Sequence, residues 1–182
     1  MDIQPVIVAL LVALFAVAGL GYLWLKLTGQ IPRHDLEDEM FGNIDYDYSG
    51  DKEGTPIWVG DAAWFEPTAA TVFVMLAGDR SGPYNVGRQA YVELQRRYAD
   101  IRPKIARFLV EQGSFLHPAD PPVDPEALLD QISLRSVSVC LPTDSAKSLV
   151  EIELGFGVAW DADHSCDVLL RNWEPVELLM NG

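Results

Sequence analysis

Two short stretches hold most of the residues whose types and spacing could do chemistry. Residues 45–54 read DYDYSGDKEG, and residues 160–166 read WDADHSC. In the first, Asp45, Asp47, Ser49, Gly50, Asp51 and Glu53 fit positions one, three, five, six, seven and nine of a twelve-residue calcium loop. Position twelve requires a bidentate glutamate, and here it is Pro56. The flanks FGNIDY and PIWV read as strands, where an EF-hand needs helices. The stretch therefore reads as a hairpin tip turned at Ser49-Gly50. Its carboxylates, Asp45, Asp47, Asp51 and Glu53, form an acidic edge suited to a basic partner. In the second stretch Asp161, Asp163, His164 and Cys166 crowd six positions and offer metal ligands. Asp161, Asp163 and His164 would then serve a small metal-dependent hydrolase. The competing reading is structural. Trp160 ends a buried face, the two aspartates bond backbone amides in a turn, and His164 packs over it.

Other chemistry is scarce. Cys140 and His164 make the one cysteine–histidine pairing worth weighing. Cys140 lies between Val139 and Leu141 in a chain of net charge −14, which disfavours a thiolate. No Gly-x-Ser-x-Gly, phosphate loop or His-Glu-x-x-His occurs. Three histidines and two cysteines exclude a multi-cysteine metal site and a disulfide framework. A single bridge between Cys140 and Cys166 stays open in an oxidising compartment. No cofactor is expected. The acidic balance keeps the chain soluble, repels nucleic acid and attracts basic partners.

Several elements must position these residues. Phe41–Tyr48, Pro56–Val59 and Ala70–Leu76 read as strands, and GDRSGP as a turn. Tyr91, Leu94, Tyr98, Ile101, Ile105 and Phe108 then form one apolar stripe at helical spacing. Asn85 would cap this helix and Gly113 would stop it. Pro103 interrupts it, giving one kinked helix or two nearly in line. Arg88, Arg96, Arg97, Arg102, Lys104 and Arg107 concentrate basic charge on it. That is either a strip for anionic headgroups or a solvated face with local ion pairs. A short helix over Pro125–Gln131 would be capped by Asp124. In LVEIELGFGVAW, Val150, Ile152, Leu154, Phe156, Val158 and Trp160 fall on one face. Glu151, Glu153, Gly155 and Gly157 fall on the other, the mark of a half-buried antiparallel strand. SVSVCL, CDVLLRN and VELLM complete the set. The expected fold class is α+β, an antiparallel sheet packed against one long helix.

An N-terminal transmembrane helix precedes this domain in the sequence reading. Val6–Leu25 is uncharged and contains twelve Leu, Ile, Val or Phe residues. As a helix it would span roughly 30 Å. Those residues would favour insertion by about 4–7 kcal/mol before polar corrections. Lys26 and Arg33 follow it and none precedes it, which places the bulk of the chain in the cytoplasm of a bacterial inner membrane. Ala9, Ala13, Ala16 and Gly19 would permit a homodimer through this helix. The organisation expected is a lipid-embedded anchor over 1–27, an acidic linker over 28–39 and one domain over 40–182.

The order of FGNIDYD, a central strand leading to GDRSGP, the QAYVELQRRYADIRPKIARFL helix and AWDADHSCDVLLRN resembles a family of uncharacterised bacterial domains. Members or close relatives of that family occur among immunity-type proteins of bacterial toxin systems. Their shared feature is a late strand ending in Trp-Asp-x-Glu-His-Gly. Trp160, Asp161 and His164 match it, while Asp163 stands where Glu is usual and Ser165 where Gly is usual. The resemblance spans roughly residues 40–182 and implies no established activity. The membrane anchor is additional to the family's usual soluble form. The combined expectation is a membrane-anchored acidic domain that binds a protein partner without catalysis, in an immunity-like role. The hydrolase and a structural membrane adaptor are the alternatives.

Overall fold

The computed structural model describes Leu20 and residues 35–47, 56–112, 124–159 and 161–181, with backbone alone at Cys140, 161–164, 180 and Asn181. The chain divides into two units, Met1–Asp35 and Leu36–Gly182. The second unit contains β1 (Leu36–Asp38), β2 (Gly42–Asp47), β3 (Ile57–Phe65), β4 (Ala70–Asp79) and β5 (Gly82–Pro83), then helices α1 (Asn85–Glu111) and α2 (Pro125–Leu129). It ends in β6 (Ile132–Cys140), β7 (Glu151–Val158), β8 (Asp161–Arg171) and β9 (Glu174–Asn181).

In the first unit only Leu20 and Asp35 are described. The anchor expected over Val6–Leu25 therefore lies, Leu20 apart, outside the described residues. No helix among the described residues is long and apolar enough to cross a membrane. The expectation of a transmembrane, single-pass protein is corrected on that finding. The long helix α1 cannot take the anchor's place. Arg96, Arg97, Asp100, Arg102 and Lys104 fall in its middle, and a charge at a bilayer centre costs about 2.5–3.5 kcal/mol.

The strands form one sheet in the order β1-β2-β3-β4-β6-β7-β8-β9, with β5 folded onto the end of β4. This corrects the expected all-antiparallel arrangement, because β4 and β6 run parallel. Length explains the difference. A hairpin loop returns a chain antiparallel, whereas a helix laid across the sheet brings it back to the starting end. The 27 residues of α1 do the latter between β4 and β6, so the sheet is mixed.

One face of the sheet is the core. In register across it stand Tyr46, Trp58, Leu76, Val139, Ile152 and Leu170, and beside them Gly60, Val74, Val137, Leu154, Val168 and Leu178. Most of these are fully buried. The helix α1 lies on this face. A methyl group at Gly87 would stand 3.8 Å from Leu76 and 4.0 Å from Val139. Tyr91 packs edge-on to Phe41 and Phe65, and Tyr98 packs edge-on to Phe65. The stripe read from sequence supplies the buried residues Tyr91, Leu94, Tyr98, Ile101 and Ile105.

Local signals set the helix ends only in part. Asp124 caps α2, its carboxylate accepting from the Glu126 amide at 3.2 Å, with Pro125 in the first turn. Asn85 does not cap α1. It is the first helical residue, and the extended Tyr84 before it makes no side-chain cap bond. Pro103 sits inside a single helix.

Candidate partner-binding face

Strand pleating sends alternate side chains to opposite faces, so the sequence that buries one face also composes the other. Across the strands Asp45, Val59, Met75, Ser138, Glu153, Leu169 and Glu177 stand in register on the outward face. A second outward row runs Phe73, Ser136, Gly155, Asp167 and Leu179. Neither α1 nor α2 lies on this side. Asp45 and Glu177 are exposed, as is Asp61 in the β3 irregularity opposite the outward Phe73, while Val59, Phe73, Met75, Leu169 and Leu179 are half-buried. Trp64, between the buried Ala63 and Phe65, points outward and is 55% exposed.

Two glycines let polar side chains lie flat on this face. A Cβ at Gly155 would fall 2.1 Å from Ser136 Oγ and 2.9 Å from Asp167 Oδ1. A Cβ at Gly157 would meet Arg135 Nε at 2.9 Å. Arg135 is the residue skipped in the β6–β7 register. Its Nε donates to Ser133 Oγ at 3.1 Å. At the β7–β8 end, Arg171 Nε donates to Glu151 Oε1 at 2.7 Å. Chemically, the face combines carboxylates, the exposed Glu177 among them, with the Arg135 guanidinium and half-exposed apolar groups that a partner could bury.

The residues singled out in sequence fall in different places. Asp45 and Asp47 lie in β2, exposed and half-buried respectively. Their strand pairs antiparallel with β3, as a hairpin requires. Asp51 and Glu53 lie outside the described residues. So does Trp160. Asp161, Asp163 and His164 belong to β8 by backbone, and their side chains are outside the description. The expected DADHS turn is instead strand from Asp161 onward, with an irregular register where Gly157 pairs Ser165 and Val158 pairs Asp161. Among the described residues no group of three His, Cys, Asp or Glu is placed to hold a metal.

The cysteines do not come together. Strands β6 and β8 flank β7, and Cys140 aligns through Glu151 with Arg171, five residues beyond Cys166. Two strand spacings, about 9.6 Å together, and an offset of about 16 Å along the strand separate the cysteines by roughly 19 Å. A disulfide needs Cα atoms within about 6.8 Å. Cys140 aligns through Glu151 with Arg171, seven residues beyond His164. At about 3.3 Å per residue, with two strand spacings across, this leaves Cys140 and His164 roughly 25 Å apart, too far for a dyad. Cys166 is a buried free thiol. Burial, helped by the neighbouring Asp167 charge, pushes it up to about 11, which makes it a poor nucleophile.

On the helical side the basic residues are engaged within the protein. Arg96 and Arg97 pair with Glu93, and Lys104 pairs with Glu174 of β9. Arg102 donates to the Leu129 carbonyl at 2.7 Å, and Arg107 to the Pro103 carbonyl at 3.4 Å. Arg88 pairs with Asp38. Asp38 was hidden among the acids of DLEDE, where nothing distinguishes a buried carboxylate from solvated ones. It is 8% exposed. One oxygen accepts the Met40 and Phe41 amides at 2.9 and 3.2 Å, and the other accepts from Arg88. Burial works to raise its pKa. The Arg88 and amide hydrogen bonds outweigh that and hold it below the ordinary 3.8. This is a structural clamp between β1 and α1.

No family model, curated protein or solved structure matches this chain.

Proposed function

We propose that Leu36–Gly182 is a binding domain without catalysis, whose outward sheet face receives a basic protein partner in an immunity-like role. The observation that supports this is the composition of that face. Half-buried Val59, Phe73, Met75, Leu169 and Leu179 stand beside the exposed Glu177 and the exposed Trp64. Interfaces favour such a mixture, with apolar groups buried on contact and charges setting orientation and encounter rate. The net charge of −14 points the same way.

Affinity purification from the source cells, with elution by a salt gradient, tests the reading. It expects a basic protein released by salt, and weaker capture by the double variant Asp61→Lys, Glu177→Lys. Screening for hydrolase turnover belongs beside it. No enriched protein together with measurable turnover would reverse the proposal.

A further inference from the structure

We draw no further inference here: the strongest candidate, the outward cluster on β6, β7 and β8 where Arg135, Ser136 and Asp167 crowd Gly155 and Gly157, belongs to the face already described, and nothing in the structure shows what covers it.

Discussion

Single residues carry the sharpest consequences. Asp38 and Arg88 are a largely buried ion pair, 4% and 27% exposed in their side chains. Removing one partner strands the other. Asp38→Ala should cost about 2–4 kcal/mol in urea unfolding at neutral pH. Because the folded-state pKa of Asp38 is depressed, its contribution is present above about 3.8 and is lost as pH falls through the lower folded value. Asp38→Ala should therefore converge with the parent in acid. At the other end of the scale, burial pushes Cys166 from 9.0 to about 11 and Tyr91 from 10.0 to about 12. Both groups stabilise the fold fully below their unfolded values. Stability should fall as pH rises from 9 to 12, and Cys166→Ala should move the onset of that fall upward. Gly155 is a third case. The 2.1 Å approach of Ser136 Oγ leaves no room for a methyl group, so Gly155→Ala should cost about 1–3 kcal/mol. Of these residues, sequence made Tyr91 legible through the helical stripe and Gly155 through its place opposite the buried side of its strand. Asp38 was illegible because burial depends on a partner fifty positions away.

Elements were more legible than their connections. The alternation in EIELGFGV and the α1 stripe rest on short-range periodicity, and both recover the observed strand and helix. The direction of β6 depends on where α1 returns the chain, which periodicity does not encode. The β8–β9 hairpin shows a different limit. Asn172 and Trp173 have φ of 52° and 68°, the left-handed pair of a type I′ turn. Asn suits it, but Trp pays roughly 1–2 kcal/mol for the conformation. The ring compensates by lying against α1, with the Arg97 guanidinium 5.1 Å from its centroid. Trp173→Gly should relieve the backbone yet lose the docking, for a net loss of about 1 kcal/mol in thermal or urea unfolding. Pro103 in α1 offers the reverse. It is exposed and withholds one helical amide, so Pro103→Ala should stabilise the protein by at least about 1 kcal/mol.

Over the Leu36–Gly182 unit, among the described residues, the organising fact is asymmetry. The helices cover one face of the mixed sheet, and the other face mixes carboxylates with half-buried apolar side chains. Sequence made both faces of β7 visible, yet it could not align β2, β3 and β4 with β7 to show that their outward residues share one surface. That alignment depends on the parallel β4–β6 pairing. The metal and thiol readings drew on residues close in sequence or in the C-terminal strands. The register puts Cys140 far from His164 and a strand between the two cysteines. The proposed role rests on the outward face being the surface a partner meets. The most direct test replaces single residues with a photo-crosslinking amino acid and irradiates the protein in its source cells. Asp61 and Glu177 report the outward face, and Arg96 on α1 serves as the control. The account expects one discrete protein adduct from both outward positions and none from position 96. Adducts from position 96 alone, or equal labelling of all three, would contradict it.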